Sequence, residues 1–402
     1  MKNQKPIIIF VPLGNSLGHL SRNVALAKEI KQKTKDVKTV FAAGGLTYEA
    51  AKKWSLDVLE VPEDASQEML DRWFDATSKG THISPSGIFI SLTLSFFINS
   101  FLRWIRLWRW VRNRHPNLMV ADGQYLMLSF CRVYKIPCVF VSNDLIPTVP
   151  RQIGEKAAER IQLLLDRIIT RFFRWASIII VPDRPGITRV PRGLDVVFTG
   201  PILKIKQRDV PERKSVRRKM KIKTKTRLIL VNVSGTGAGS ELIYVAIEAL
   251  KIVRESHPTV KMVIKYWPAI SDEEASKLEA PGLKLERFVP DMFEYILASD
   301  ILVTHTGHTT IMEATLAGTP IITTPYVGQV EQMINAGKMA ASGRALVIYP
   351  DELNAETLAS NINTLLTNSE RRQEMIDNNK KFVEGDGVSK AANCIIELLK
   401  CQ

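Results

Sequence analysis

The strongest constraint on this chain is a regular alternation of short apolar runs with longer amphipathic segments. The first run, PIIIFVPLG, is followed by a helical pattern in SRNVALAKEIKQK and by a second apolar run, VKTVFAAGG. A βαβ unit of this kind builds a parallel sheet with helices on its faces. The runs LMVADG, CVFVSN, SIIIVPD and DVVFTG continue the pattern. The sequence therefore predicts an α/β domain in the first half of the chain.

A second alternating series begins at residue 228. Its predicted strands are LILVNVSG, KMVIKYW, LKLERFV, DILVTH and PIITTPY, with helical patterns among them. The segment between the two series is highly charged and has no long apolar run. We therefore predict an N-terminal domain at 1–204, a basic linker with a surface helix at 205–227, and a second domain at 228–385. A C-terminal helix at 386–402 closes the chain, and its return to the first domain is left open.

The net charge of +14 is unevenly distributed. Residues 1–227 carry 40 Lys and Arg against 19 Asp and Glu, whereas residues 228–402 carry 15 against 22. A basic surface can face nucleic acid, an anionic membrane or phosphorylated substrates, or it can be a solvated surface with no partner. Charge alone leaves these alternatives open.

The cysteines argue against one class of protein. The four of them, Cys131, Cys138, Cys394 and Cys401, form no CxxC pair. A secreted disulfide framework and a cysteine-based zinc site are therefore disfavoured, and a reducing compartment is expected. The apolar run near the start is too short for a signal peptide and is interpreted as the first strand.

One stretch departs from the α/β pattern. Residues 87–102 carry no charge, but 16 residues are fewer than the ~20 that a membrane-spanning helix needs. In the following RWIRLWRWVRNR, the apolar residues and the arginines fall on different helical faces: Trp104, Leu107, Trp108 and Val111 on one, Arg103, Arg106 and Arg109 on the other. This arrangement is typical of a helix that lies in a membrane interface. The alternative is a helix that packs on the sheet of its own domain.

The segment EKAAERIQLLLDRIITRFFRW shows the same separation of apolar residues and arginines. Its apolar stripe consists of Ala157, Ile161, Leu164, Ile168 and Phe172, and its arginines, Arg160, Arg167, Arg171 and Arg174, lie elsewhere. Membrane docking and packing within the domain are again the two interpretations.

Polar side chains concentrate where the predicted strand DILVTH meets the helix TTIMEATLAG. Gly307 precedes the helix, so Thr309 and Thr310 fall at its amino end, where hydroxyls and free N–H groups can hold a diphosphate. Glu313 follows one turn later, where its carboxylate can accept both hydroxyls of a ribose. Local physics also allows a plainer interpretation, in which Thr309 only caps the helix and Glu313 only interacts with its dipole.

Two neighbouring segments add to this pattern. The turn VSGTGAGSE follows a strand and opens a helix, and its glycines let the backbone approach a phosphate or a base closely. After the strand PIITTPY, Glu331 and Gln332 offer hydrogen-bonding groups suited to sugar hydroxyls. Diphosphate, ribose and hexose together make a nucleotide sugar.

These motifs resemble those of a known family. The pattern H-x-G-x-x-T-x-x-E, followed by Gly318, Pro320 and the pair Glu331–Gln332, resembles the donor signature of two-domain (GT-B) glycosyltransferases, including the plant-type glucosyltransferases. The segment GNSLGHLSR resembles the GGTGGH loop of the lipid II-forming N-acetylglucosaminyltransferases, with Asn15 and Leu17 in place of two glycines. The resemblance implies an α/β protein of the GT-B class, with two Rossmann-like domains facing across a cleft.

The resemblance also implies roles for individual residues. His305, Thr309 and Thr310 would contact the diphosphate, Glu313 the ribose, and Glu331 and Gln332 the transferred sugar. The remaining donor-side positions are Gly14, Gly18, Thr236, Gly237, Phe288 and Gly307. His19 would lie near the acceptor as the best candidate for the general base, with Asp122 second. Asn143 is a further acceptor-side position, and the helical pattern described above gives Trp104, Arg106, Trp108 and Arg109 as the membrane positions. No DxD motif occurs, so no metal or other cofactor is expected.

The predicted function follows from the same resemblance. We expect an inverting glycosyltransferase that moves a sugar, in the first place N-acetylglucosamine from UDP-N-acetylglucosamine, to a polyprenyl or dolichyl diphosphate-linked acceptor. The enzyme would lie peripherally on the cytoplasmic side of an anionic membrane, as in the assembly of N-glycan or cell-envelope precursors, and would not bind nucleic acid. Three alternatives stay open: a soluble transferase for small apolar aglycones, a UDP-N-acetylglucosamine 2-epimerase, and a non-catalytic subunit that binds nucleotide sugars.

Overall fold

The apolar runs of the sequence form two separate parallel sheets. The computed structural model describes residues 5–14, 17–34, 36–62, 85–146, 155–233, 239–267, 269–287, 289, 291–326, 330–383 and 385–401, and it describes residues 85–97, 100, 157, 330 and 331 by their backbone alone. The chain divides into two compact units. The first is Met1–Lys206 with Gly385–Gln402, and the second is Gln207–Glu384.

The first unit is built on seven described strands that pair in parallel in the order β3-β2-β1-β4-β5-β6-β7. They are β1 (Ile7–Pro12), β2 (Lys38–Ala43), β3 (Val58–Glu60), β4 (Leu118–Asp122), β5 (Cys138–Val141), β6 (Ile178–Val181) and β7 (Val197–Phe198). Helices cover both faces, so the side chains on each face of β1 are buried: Ile8 and Phe10 in one layer, Ile9 and Val11 in the other. This two-sided burial explains why the strands read as continuous apolar runs.

Five described helices and the end of the chain surround this sheet. The helices are α1 (Leu17–Lys33), α2 (Gly45–Lys53), α3 (Pro85–Arg114), α4 (Leu126–Tyr134) and α5 (Glu155–Phe173). The C-terminal helix (Gly387–Lys400) belongs to the same unit and packs against α1, with Ile395 buried in one core with Leu20 and Leu26. At its start a Cβ on Gly387 would lie 2.2 Å from the carbonyl oxygen of Pro201, so only glycine allows this approach.

Six described strands form the sheet of the second unit, also all parallel, in the order β10-β9-β8-β11-β12-β13. They are β8 (Leu228–Asn232), β9 (Lys261–Lys265), β10 (Leu283–Glu286), β11 (Ile301–His305), β12 (Ile321–Thr324) and β13 (Leu346–Val347). The helices are α6 (Arg213–Lys219), α7 (Ser240–Ser256), α8 (Asp272–Ala275), α9 (Met292–Ala298), α10 (His308–Ala317), α11 (Val330–Ala341), α12 (Ala355–Thr367) and α13 (Ser369–Lys380); the C-terminal helix is α14. The prediction of an α/β fold with two parallel sheets is confirmed.

The basic segment at 205–227 contains one short helix, α6, that is anchored to the second unit. Arg213 and Arg217 make ion pairs of 3.1 and 3.3 Å with the carboxylate of Asp300, and Arg227 adds a third of 3.2 Å. Burial would raise the pKa of Asp300, but the hydrogen bond from the Leu228 N–H and the arginine charges hold it below its usual value. The segment is thus docked at the start of the second sheet.

The tryptophan-bearing face of α3 packs against its own domain. Leu107 is fully buried, and Trp104 donates a 3.2 Å hydrogen bond through Nε1 to the hydroxyl of Tyr134. Trp108 packs on the same core, and Arg103, 2% exposed, donates to the carbonyl oxygen of Pro62. The prediction that Trp104 and Trp108 face a membrane is wrong, because the sheet buries the stripe that an interfacial helix would also have shown.

The arginines predicted beside that stripe, Arg106 and Arg109, are exposed, and Arg106 donates through Nε to the carbonyl oxygen of Glu60. Among the residues described, no helix combines the length and the apolarity needed to cross a membrane.

Candidate active site

The strand order marks one point in each sheet where a ligand site is expected. The order reverses between β1 and β4 in the first unit, and between β8 and β11 in the second. In open α/β sheets, ligands bind outside the carboxyl ends of the strands at such a switch point. His19 and Asp122 lie at this point in the first unit, and His305, Thr309, Thr310 and Glu313 lie at this point in the second.

In the first unit, His19 lies in the first turn of α1, directly after β1, and Asp122 is the last residue of β4. The imidazole Nδ1 is 2.7 Å from Asp122 Oδ1. Because a carboxylate only accepts hydrogen bonds, Nδ1 carries a proton, and in the neutral ring Nε2 is left with a lone pair. The His19 side chain is 20% exposed, whereas that of Asp122 is fully buried. The structure thus brings together the two candidates for the general base.

Gly123 permits this close approach. Its φ of +71° is a left-handed conformation that side chains rarely adopt, and a Cβ there would lie 3.3 Å from Cε1 of His19. Gly14 and Gly18, which the sequence assigned to the donor, lie in the same unit, between β1 and the second residue of α1.

A third residue, Arg22, joins this pair and was missed by the sequence analysis. Its Nε donates to Asp122 Oδ2 at 2.9 Å, its Nη2 donates to Oδ1, and its Nη1 donates to Asn143 Oδ1 at 3.2 Å. Burial would raise the pKa of the Asp122 carboxyl, but the charges of Arg22 and His19 and their hydrogen bonds lower it to about 2. The spacing His19-x-x-Arg22 could have indicated Arg22, because residues three apart share a helix face.

In the second unit, His305 is the last residue of β11 and is 5% exposed. Its Nδ1 is 2.9 Å from the carbonyl oxygen of Thr324, so Nδ1 is the donor, and its ring stacks on Tyr326 with the centroids 3.8 Å apart. Burial lowers the pKa of His305 to about 4, against the opposing effect of the Thr324 hydrogen bond. At neutral pH its Nε2 is therefore an acceptor.

Gly239, which precedes α7, approaches His305 closely. Its φ is +112°, and a Cβ would lie 2.7 Å from His305 Nε2 and 2.6 Å from the Tyr326 hydroxyl oxygen. The conformation and the contact both require glycine here.

Three buried polar atoms at the carboxyl ends of β8, β11 and β12 have no partner in the described part of the chain: Asn232 Oδ1, His305 Nε2 and Thr324 Oγ1. These strands are neighbours, and the register sets Asn232 opposite Thr304 and His305 opposite Thr324. An unsatisfied buried polar group costs about 1–3 kcal/mol, so such groups are rare unless a ligand satisfies them. Their grouping indicates a binding site for a polar ligand.

Helix α10 begins beside these atoms. Thr309 and Thr310 occupy its first turn, where backbone N–H groups have no partner within the helix. Asn232 Nδ2 is 3.3 Å from Thr310 Oγ1, which links that first turn to the end of β8. Glu313 follows one turn later and is 8% exposed. Gly307 precedes the helix in an extended conformation, with nothing within 4 Å of a Cβ placed on it.

Of the remaining residues predicted to bind the donor, only some are described by the structure. Gln332 is 7% exposed, and its Oε1 accepts from the backbone N–H of Tyr326 at 3.2 Å. Glu331 lies in α11 and is described by its backbone alone. Thr236, Gly237 and Phe288 lie outside the described residues.

Lys265 is a second residue that sequence reasoning missed. It ends β9, pairs in register with Asn232, and is 5% exposed. Burial lowers the pKa of its ammonium to about 8. Register partners in a parallel sheet project to the same face, so Lys265 and Asn232 share the side of the sheet from which Asn232 reaches Thr310. The only sequence signal was a lysine at the end of an apolar run.

Comparison with known proteins gives concordant matches. Residues 229–390 match the glycosyltransferase family 28 C-terminal domain. An uncharacterized glycosyltransferase of Methanopyrus kandleri is 30% identical over 289 residues, covering 71% of this chain and 77% of the relative. The UDP-N-acetylglucosamine–N-acetylmuramyl-(pentapeptide) pyrophosphoryl-undecaprenol N-acetylglucosamine transferase of Acetivibrio thermocellus is 22% identical over 402 residues, covering 98% and 97%.

Solved structures agree at the level of the fold. The calicheamicin glycosyltransferase CalG4 superimposes with a TM-score of 0.67 at 14% identity, covering 99% of each chain. MurG from Acinetobacter baumannii gives a TM-score of 0.55 at 13% identity, covering 99% of this chain and all of that one.

Proposed function

The chain is a glycosyltransferase of the GT-B fold whose residues 229–390 match the family 28 C-terminal domain, and from that premise we propose that it transfers N-acetylglucosamine from UDP-N-acetylglucosamine to a lipid-linked diphosphate-sugar acceptor. The Acetivibrio thermocellus relative, named for this donor and an undecaprenyl diphosphate acceptor, supports the choice of substrates. The observation that carries the proposal is the group of unsatisfied buried polar atoms beside the amino end of α10.

The donor would bind at the second unit. The first turn of α10 offers N–H groups, the hydroxyls of Thr309 and Thr310 and the positive end of the helix dipole, all suited to a diphosphate. Glu313 would accept the ribose hydroxyls. In its neutral form His305 has only a lone pair at Nε2, so it can accept a hydrogen bond but cannot donate one to a phosphate. We therefore propose that it accepts a hydrogen bond from a hydroxyl of the nucleotide sugar, in place of the phosphate contact implied by the resemblance.

The transfer is a direct displacement that inverts the anomeric carbon. The acceptor oxygen forms a bond to C1 of the sugar while the bond from C1 to the diphosphate oxygen breaks, and the nucleoside diphosphate leaves with that electron pair. Nε2 of His19 takes the proton of the acceptor hydroxyl. Asp122 stays ionised and holds Nδ1–H, and the amino end of α10 stabilises the departing negative charge.

A direct assay tests this function. The protein is incubated with radiolabelled UDP-N-acetylglucosamine and a membrane lipid extract, and butanol is used to recover labelled glycolipid. We expect label in the butanol phase, more from this donor than from UDP-glucose. Transfer of label to small apolar aglycones but not to the lipid extract, a change of free UDP-N-acetylglucosamine without any acceptor, or binding of UDP without transfer would each replace the proposal with one of the three alternatives.

The same assay tests metal independence, which we propose because the amino end of α10 can supply positive charge to the leaving group. Transfer should continue at an unchanged rate in excess EDTA. A loss of transfer that Mg²⁺ or Mn²⁺ restores would contradict this part of the mechanism.

We also propose that α5 attaches the enzyme to the cytoplasmic face of an anionic membrane. Ile161, Leu164 and Ile168 form one stripe of the helix and are 42%, 57% and 45% exposed. Exposed arginines flank the stripe at Arg160, Arg167, Arg171 and Arg174. An exposed apolar stripe bordered by arginines is typical of an interfacial helix, and each basic residue near an anionic surface adds about 1 kcal/mol of attraction.

Changing Ile161, Leu164 and Ile168 to serine should release the protein from anionic liposomes without unfolding it, because these side chains are already exposed. Flotation with liposomes measures the release, and thermal unfolding checks the fold. The matched control changes three exposed residues of α3, Ile98, Phe101 and Leu102, to serine. If the control variant is released and the α5 variant still floats, the docking surface is on α3 and the proposal for α5 fails.

A further inference from the structure

The carboxylate of Asp122 is shared between a histidine and an arginine on the same helix. Arg22 lies one turn after His19 on α1, and both side chains reach Asp122 Oδ1 at the end of β4. Arg22 is 3% exposed and its three nitrogens are all engaged, two on Asp122 and one on Asn143. The guanidinium is thus fixed at the histidine by a bidentate ion pair.

The guanidinium of Arg22 and the imidazole of His19 donate to the same carboxylate oxygen, and this brings their two N–H groups close together. Arg22 Nη2 is 3.0 Å from His19 Nδ1, although both atoms carry protons that point to Asp122. A guanidinium keeps its charge at every working pH. A proton added at Nε2 of His19 therefore creates a second cation beside a permanent one.

The charges around His19 can be assigned element by element. Helix α1 contributes the cation Arg22, and β4 contributes the anion Asp122. The segment after β5 contributes the neutral amide of Asn143, and Gly123 lies against the ring without a charge. In the part of the chain that the structure describes, one cation and one anion thus contact the ring, so the attraction of Asp122 for a protonated imidazole is offset by Arg22.

We propose that Arg22 is a positioning residue that keeps His19 unprotonated, and hence available as a base, at neutral pH. Asp122 alone would favour the charged imidazole, as an opposite charge at 2.7 Å does. Arg22 neutralises the charge of that carboxylate but leaves its hydrogen bond to His19 Nδ1–H in place. The His19 ring is therefore oriented by Asp122 without an uncompensated negative charge beside it. The inference rests on the proposed role of His19 as the base for the acceptor hydroxyl.

Replacing Arg22 with methionine should raise the pH at which His19 takes up its proton by about one unit or more. The positive charge beside the ring is lost, and the negative charge of Asp122 is no longer neutralised. Proton NMR of the ring Hε1 signals measures this directly, since the chain has six histidines and a His19→Gln variant identifies the resonance. The acidic limb of the pH–rate profile should move by the same amount. At pH values well below both midpoints the rate of the variant would then be about tenfold lower than that of the wild type, and it would recover at high pH.

Two further variants separate charge from structure. Arg22→Lys keeps the cation and should stay near the wild-type midpoint. Arg103→Met removes another buried arginine of the same unit, one that donates to the carbonyl oxygen of Pro62, and should lower thermal stability without moving the His19 midpoint. If Arg22→Met fails to fold, Arg22→Gln, which retains a donor for Asp122, provides the same comparison.

An unchanged midpoint in a folded Arg22→Met or Arg22→Gln variant overturns the inference. So does a rate that falls equally at every pH, since that would be a purely structural effect. The NMR measurement needs no substrate, so a shifted midpoint in a protein that transfers no sugar would refute the proposed function and leave the effect of Arg22 on His19 standing.

Discussion

Replacing His19 with alanine should lower kcat by about 10²–10⁴-fold, the usual contribution of a well-placed general base. The acceptor hydroxyl loses the group that takes its proton, whereas the donor-binding residues of the second unit are untouched. Calorimetry should therefore give the same affinity for UDP in the variant and in the wild type. The two measurements together, kcat with saturating donor and Kd for UDP, define the expected result.

His257→Ala is a suitable control, because His257 follows α7 in the second unit, away from the strand ends that carry the site, and should leave kcat unchanged. A loss of UDP affinity in His19→Ala with a surviving rate would assign His19 to the donor. Asp122→Asn should resemble His19→Ala in direction, since the amide no longer fixes the proton on Nδ1.

Replacing Glu313 with alanine should raise the KM for the nucleotide sugar well above tenfold. Two ribose hydroxyls would lose a charged acceptor, and each hydrogen bond to a charged group contributes about 1.5–3 kcal/mol. Glu313 is 8% exposed and is the one acidic residue of α10, so no other carboxylate of that helix can take its place. Steady-state kinetics with varied donor measures the effect.

Glu370→Ala is the matched control, because Glu370 is an exposed carboxylate in the first turn of α13, another helix of the same unit. If Glu313 only interacts with the helix dipole, Glu313→Ala and Glu370→Ala should both lower thermal stability slightly and leave KM unchanged. An unchanged KM in Glu313→Ala would remove this residue from the donor site.

Both sheets could be predicted because their strands are buried on two faces, which leaves continuous apolar runs that few other structures require. The face of α3 could not be assigned, since Trp104 and Leu107 show the same helical spacing whether a sheet or a membrane covers them. The outcome depends on contacts with residues such as Tyr134, thirty positions away in the chain.

The candidate site also contains residues that the sequence could predict and residues that it could not. His19, His305 and Glu313 could be named as candidates because they stand in or beside glycine-bearing turns with recognisable motifs. Arg22 and Lys265 were missed because a charge within a helix or at a strand end is ordinarily a solvated one. Their burial follows from tertiary pairing: Asp122, the partner of Arg22, is 100 residues distant, and Lys265 is buried at the end of β9 beside Asn232.

The placement of α14 in the first unit has a consequence for synthesis on the ribosome. Ile395 and its neighbours on α14 share one buried core with α1 and with one face of the sheet, so this core of the first unit stays incomplete until α14 has emerged. The second unit, Gln207–Glu384, is contiguous and can close as soon as it leaves the exit tunnel. We therefore expect the second unit to complete its core before the first, against the usual order of co-translational folding from the amino terminus onward. Until α14 docks, the nascent first unit exposes apolar surface that chaperones recognise.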